Sequence, residues 1–180
     1  NTMQTNGTLL DDEWCEFLAE HDFLIGISID GPRPLHDAFR VNKRGEGTFD
    51  KVMRGVRLLQ KHGVEYNVLT TVNRVNGDYP LAVYRFIRDE IEADWMQFIP
   101  VVERVDEDGN PAFLNGEYAS ERSVGAEQFW EFLSVIFDEF GIDKTGDVLD
   151  SAQAGELFEE VFASAIMDPE GIESQVDDTV

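Results

Sequence analysis

Apolar and polar positions follow two rhythms along this chain, and the two rhythms take turns. Residues 23–29 (Phe23-Leu24-Ile25-Gly26-Ile27-Ser28-Ile29) are a near-continuous apolar run, the length and content of a strand buried on both faces, and residues 66–72 read as a further strand. Between them apolar residues recur at helical spacing. Trp14, Phe17 and Leu18 share one face of a helix opened by Asp11 and Asp12, acids that suit a helix N-terminus. Phe49, Val52, Met53, Val56 and Leu59 form the stripe of a second helix, with Thr48 as N-cap and His62-Gly63 as its stop. Leu81, Val83, Tyr84, Phe86 and Ile87 follow Pro80 in a third. A strand ending near Gln4 and another over residues 95–102 complete four strand–helix alternations within residues 1–102. That order predicts an α/β fold with a parallel sheet and right-handed crossovers. A polar loop is expected over 103–123, amphipathic helices over 126–140 and 155–166, and an aperiodic tail or connector over 167–180.

A parallel sheet collects its strand C-termini on one side, where ligands of such folds sit. The residues delivered there are Gln4 to Gly7, Ser28 to Gly31, Thr70 to Asn73 and Gln97 to Val102. Amides, hydroxyls and a single carboxylate with an apolar border suit a nucleoside-like ligand. Gly7 and Gly31 allow close backbone approach, and Arg40 brings a cation able to fork a ligand carboxylate. A plainer reading stands beside this one: Asn6-Gly7 and Asp30-Gly31-Pro32 are common turn formers, Ser28 caps a backbone group, and Arg40 and Arg44 are surface solvators.

Charge narrows the partners. Asp plus Glu number 37 against 14 Lys plus Arg, a formal −23, which repels nucleic acid and anionic membrane surfaces. The acids are dispersed rather than blocked, and only four of the bases are lysine. This pattern fits adaptation to a salt-rich cytoplasm, where screening removes self-repulsion; an acidic docking surface is the alternative. No apolar run reaches the length of a membrane span, and a single cysteine fits a reducing cytoplasm.

Other chemistry is thin. His21 and His62 end helices, where the dipole favours a cation; His36, in the Asp30–Gly47 loop, is the one histidine worth testing. Cys15 sits among Trp14, Phe17 and Leu18 as a small buried residue. Asp106-Glu107-Asp108-Gly109-Asn110 lacks the spacing and closing glutamate of a calcium loop. No metal-ligand set is expected.

With these residues in view, the chain resembles the middle of a radical S-adenosylmethionine enzyme, and within that group the anaerobic sulfatase-maturating enzymes. The resemblance covers about residues 1–102. It is carried by Gln4-Thr5-Asn6-Gly7-Thr8-Leu9-Leu10-Asp11-Asp12-Glu13-Trp14, by residues 23–32 with Leu35-His36 and Arg40, by Gly63-Val64-Glu65-Tyr66-Asn67-Val68-Leu69, and by Gln97-Phe98-Ile99. It implies part of a TIM-like partial (β/α)6 barrel, with 1–102 as central βα units, 103–166 completing or flanking them, and 167–180 as tail or connector. In such enzymes a [4Fe-4S] cluster reductively cleaves S-adenosylmethionine to a 5′-deoxyadenosyl radical. In this family that radical starts the oxidation of a sulfatase cysteine or serine to formylglycine.

The family's S-adenosylmethionine contacts carry over to Ser28, Arg40 and Val102, with Arg40 meeting the methionyl carboxylate. Gln4 and Asp30 are further candidates on the same rim. Implied partners are a sulfatase polypeptide and an electron donor for the parent enzyme. The family's C-x-x-x-C-x-x-C loop and its C-terminal cysteine-rich domain do not occur in these residues, and Cys15 matches no cluster ligand. The chain is therefore expected to be a fragment that holds no catalytic residue and generates no radical by itself. Another radical S-adenosylmethionine peptide maturase, or a non-catalytic acidic α/β module, are the rival expectations; a (β/α)8-barrel hydrolase is weakened by the missing metal ligands.

Overall fold

The computed structural model describes residues 1–110 and 118–144. The elements expected over 155–166 and 167–180 lie outside the described residues, as does Pro111. Four strands, β1 (Thr2–Thr5), β2 (Leu24–Ser28), β3 (Tyr66–Val72) and β4 (Met96–Pro100), form one sheet in the order 1-2-3-4. Every pairing in it is parallel. The connections carry α1 (Asp12–Glu20), the short α2 (Arg33–His36), α3 (Phe49–His62) and α4 (Pro80–Phe86). The last of these widens into a π turn over Ile87–Ile91. Beyond β4 the expected polar loop contains a two-residue antiparallel ribbon, β5 (Arg104–Val105) with β6 (Tyr118–Ala119). α5 then runs Ala126–Lys144.

The chain divides into two compact units, residues 1–132 and 133–180, and the first contains the whole four-stranded sheet. Its core lies between one face of that sheet and the helices. Ile25, Ile27, Val68 and Val72 from the strands meet Cys15, Leu18, Val52, Val56, Leu59, Val83 and Ile87, all buried. Cys15 is inaccessible, and its thiol is pushed up by burial and by Asp11 and Asp12. Strand side chains alternate between faces, so the residues between these apolar ones present themselves on the other side of the sheet.

Two local expectations change in the structure. α1 turns Cys15 and Leu18 inward, while Trp14 and Phe17 stay exposed, with His21 stacked on Phe17. α1 opens as expected, with Asp11 as N-cap, its Oδ1 accepting from the Trp14 amide at 2.9 Å. Thr48 does not cap α3 with its side chain; instead Asp37 Oδ1 accepts from the Phe49 amide at 2.9 Å, and Thr48 Oγ1 donates to the Arg40 carbonyl at 2.8 Å. At the other end Gly63 closes α3 at φ 65°, in the left-handed region glycine tolerates.

Gly7 has a packing role in the fold. A side chain there would collide with Ile27, and its carbonyl oxygen lies where a Cβ on Gly55 of α3 would be. Gly7 and Gly55 thus let the β1 turn and α3 touch backbone to backbone. Gly55→Ala is expected to lower the midpoint of chemical unfolding by the equivalent of about 1–3 kcal/mol; an unchanged midpoint would contradict this packing.

Candidate functional site

The second face of the sheet is read from its register. Gln4 lies opposite Gly26, and Gly26 opposite Asn67. A Cβ on Gly26 would press on the side chains of Gln4 and Leu69, so these belong to one face. One step toward the strand ends, Ser28 lies opposite Leu69 and Leu69 opposite Gln97; a further step brings Thr71 opposite Ile99. Ser28 and Asp30 follow Gly26 at two-residue intervals and share its face. The Ser28 hydroxyl and the Gln4 amide make no side-chain hydrogen bond among the described residues.

At the top of this face Asp30 is only 1% exposed. A buried carboxylate must be paired and hydrogen-bonded, and this one is. Arg40 Nε donates to Oδ2 at 2.6 Å and Nη2 to Oδ1 at 2.9 Å. The Thr71 amide donates to Oδ1, and Thr71 Oγ1 lies 2.9 Å from both carboxylate oxygens. Arg40 Nη2 also reaches Thr71 Oγ1 at 3.2 Å. Thr71 is fixed in turn by the loop after β3: Asn76, fully buried, donates from Nδ2 to the carbonyls of Asp30 and Thr71. Its Oδ1 accepts from the Asn73 amide, while Asn73 Oδ1 accepts from the Val75 and Asn76 amides.

The segment that presents Arg40 is locked by His36, which is 0% exposed. His36 Nδ1 accepts from the Asp30 amide at 3.3 Å, and Nε2 lies 3.1 Å from Thr48 Oγ1. The Thr48 hydroxyl hydrogen is committed to the Arg40 carbonyl, so Nε2 is the donor and the ring is neutral. Burial agrees, pushing His36 down from 6.5 to about 4, with Arg40 adding to the effect and Asp30 opposing it. A relay therefore runs from the Asp30 amide through His36 and Thr48 to the Arg40 carbonyl.

The sequence candidates divide accordingly. Ser28 and Arg40 come to the same face at the strand C-termini, and Gln4 lies on that face further down. Asp30 is turned toward Arg40 and Thr71, with both oxygens engaged. Val102 is 60% exposed and lies past the end of β4. The ladder extends to Val101, whose amide donates to the Val72 carbonyl at 2.8 Å, so it is Val101 that continues the row of Gln97 and Ile99. Gly31, at φ 120°, faces Val83 and Leu35, a packing role.

Thr71, Asn76 and Thr48 do not stand out in the sequence as partners. Their one signal is a buried strand end carrying an acid, which obliges the fold to supply donors. Asn67 Oδ1, lower on the same face, is buried with no partner among the described residues. A cavity of about 790 Å³ opens at the opposite, N-terminal ends of the strands, bordered by Leu24, Gln60, Tyr66, Asn67 and Trp95; it lies away from the Arg40 network. The described residues contain no group of three or more His, Cys, Asp or Glu able to hold a metal ion. Asp106 is engaged locally, accepting from the amides of Asp108 and Asn110. No described helix is long and apolar enough to cross a membrane.

Comparison with known proteins fits this arrangement. Residues 1–87 match the Radical SAM superfamily. The chain is 47% identical over 152 residues to a serine-type anaerobic sulfatase-maturating enzyme of Bacteroides thetaiotaomicron, covering 81% of this chain and 36% of that protein. It is 34% identical over 138 residues to a cysteine-type anaerobic sulfatase-maturating enzyme of Clostridium perfringens, covering 77% and 35%. The chain thus spans about a third of the length of these curated relatives. Among solved structures, anSMEcpe with bound AdoMet superposes with a TM-score of 0.69 at 33% identity, covering 79% of this chain and 35% of that one. The same protein with AdoMet and a Cp18Cys peptide gives 0.67 at 28% identity, covering 83% and 44%. The four-stranded parallel sheet is therefore part of the radical SAM partial barrel.

The His36 relay has a measurable consequence. Above pH 6.5 His36 is neutral whether folded or unfolded, and contributes nothing to pH dependence. As the pH falls from 6.5 toward 4 the unfolded chain takes up the proton that the folded one refuses, so stability is lost across that window. The full difference is about 3 kcal/mol. Unfolding free energies of the wild type should fall by that much more than those of His36→Gln between pH 7 and 4; parallel curves would contradict the buried neutral ring.

Proposed function

The chain belongs to the radical SAM superfamily, and on that premise we propose that its strand-end mouth binds S-adenosylmethionine within an anaerobic sulfatase-maturating enzyme. What supports this reading most is that the Ser28 hydroxyl and the one uncommitted end of Arg40 face the same side of the sheet at the C-termini of β2 and β3. The residues fit the ligand. Gly26 lets the Gln4 and Leu69 side chains close over β2 below Ser28. Arg40 presents Nη1 to a carboxylate, and Ser28 offers a hydroxyl that donates or accepts. Val101 and Ile99 supply an apolar border, the role the sequence resemblance gave to Val102.

The iron–sulfur cluster does not fit this chain's own residues, since the single cysteine, Cys15, is buried under α1. In this reading the [4Fe-4S] ligands lie outside residues 1–180, and the electron that activates the cofactor enters there from a separate donor. When bound and reduced, S-adenosylmethionine supplies the hydrogen-abstracting radical that begins conversion of a sulfatase cysteine or serine to formylglycine. This chain's residues bind and orient the cofactor: Arg40 fixes its carboxylate end, and Ser28 fixes its position along β2. Residues 1–102 are assigned to central βα units of the barrel, in a cytoplasmic enzyme.

Titration calorimetry of S-adenosylmethionine into the whole protein with its cluster assembled tests the reading. Arg40→Ala is expected to weaken binding by about tenfold or more, the loss of a charge-assisted hydrogen bond, and Ser28→Ala by about threefold to tenfold. Absence of binding by the wild type, or unchanged affinity in Arg40→Ala, would overturn it.

The dispersed acidity belongs to the same proposal as an adaptation to a salt-rich cytoplasm. Raising potassium chloride from low to molar concentration should raise the unfolding midpoint markedly; a midpoint that falls or stays level would contradict salt adaptation.

A further inference from the structure

Arg40 has five N–H donors, and the structure accounts for three of them. Nε points at Asp30 Oδ2, and Nη2 divides its two hydrogens between Asp30 Oδ1 and Thr71 Oγ1. The two hydrogens on Nη1 have no partner among the described residues. The Arg40 side chain is 24% exposed and that of Asp30 2%, so the solvent-facing part of the pair belongs to arginine. Asp30 occupies the side-on edge of the guanidinium, one of the two edges by which arginine forks a carboxylate, and Thr71 takes the second Nη2 hydrogen, which the end-on fork would need. A ligand is left with the Nη1 end alone.

The guanidinium is anchored from a second direction as well. The Arg40 carbonyl accepts from the Thr48 hydroxyl and amide, and the Arg40 amide donates to the His36 carbonyl. The backbone is tied to His36 and Thr48 of the connecting segment and the head group to Asp30 and Thr71 at the ends of β2 and β3, which leaves the aliphatic span of the side chain little freedom. Binding costs less entropy when such a group is held in place beforehand.

From this we infer that Asp30 is a positioning residue for the cofactor site: it does not touch the ligand, but holds Arg40 with Nη1 directed at the ligand carboxylate, Thr71 serving as the second support. This rests on the proposed binding of S-adenosylmethionine and goes beyond it. The rim candidate Asp30 becomes a clamp, and a carboxylate approaching Arg40 is met end-on rather than by a side-on fork.

The test compares two probes in the cluster-loaded whole protein: S-adenosylmethionine, which carries the carboxylate, and 5′-methylthioadenosine, which lacks it. In Asp30→Asn one acceptor oxygen becomes an NH2 group facing the Arg40 donors, so the clamp opens. Affinity for S-adenosylmethionine should fall about tenfold, while affinity for 5′-methylthioadenosine stays unchanged. In an Arg40→Ala background the same substitution should have no further effect on S-adenosylmethionine, since Asp30 acts only through Arg40. Equal loss of both probes would make Asp30 a merely structural residue, and an undiminished effect in the Arg40→Ala background would make it a direct contact; either overturns the inference. Should Asp30→Asn fail to fold, Thr71→Val carries the test, with a smaller loss confined to S-adenosylmethionine expected and equal or absent loss for both probes overturning it. If Arg40→Ala leaves the affinity for S-adenosylmethionine intact, the proposed binding itself has failed, a result distinct from these.

Discussion

One buried carboxylate organises the mouth of this fold. Asp30 ends the β2 segment out of reach of water, where an unpaired charge costs several kcal/mol. The fold meets that cost with a guanidinium arriving ten residues later and with the amide and hydroxyl of Thr71 from the next strand. Each partner is then constrained by the need to satisfy Asp30. Thr71 fixes the β3 exit, Asn76 braces both strand ends, and Arg40 is drawn over the sheet face from a loop that His36 and Thr48 hold shut. The order is hierarchical: a parallel pairing places Asp30 beside Thr71, the pairing requires a cation, and the cation's remaining donors become the functional surface.

The two faces of the sheet divide the work. On the helix side, contacts are apolar and close, and glycine serves packing: Gly7 lets its carbonyl meet α3 at Gly55, and Gly31 passes Val83. On the other side, Gly26 lets the Gln4 and Leu69 side chains close over β2, where a Cβ would press on both.

The alternation of strands and helices was legible because it is local. Residues 66–72 form the third strand as expected, and Gly63 stops α3, since period and cap are written in adjacent residues. What could not be read was long-range. The face α1 buries depends on its neighbours, and Cys15 and Leu18 compete with Trp14 and Phe17 for the same helical spacing. The cap of α3 comes from Asp37, twelve residues before Phe49, and this freed Thr48 for the His36 relay. Gly7 and Gly55 are separated by a strand and two helices, so their contact leaves no trace in either local segment. Asp30 and Arg40 are each visible as rim candidates, but separately. That one holds the other emerges only from the depth of Asp30 and the register that brings Thr71 alongside.

The most direct measurement is a crystal structure of the whole protein with S-adenosylmethionine bound. Arg40 Nη1 is expected at hydrogen-bond distance from the ligand carboxylate, about 2.7–3.2 Å, with Nε and Nη2 still on Asp30. A ligand carboxylate forked on the Nε edge with Asp30 displaced, or one that leaves Arg40 untouched, would contradict the clamp.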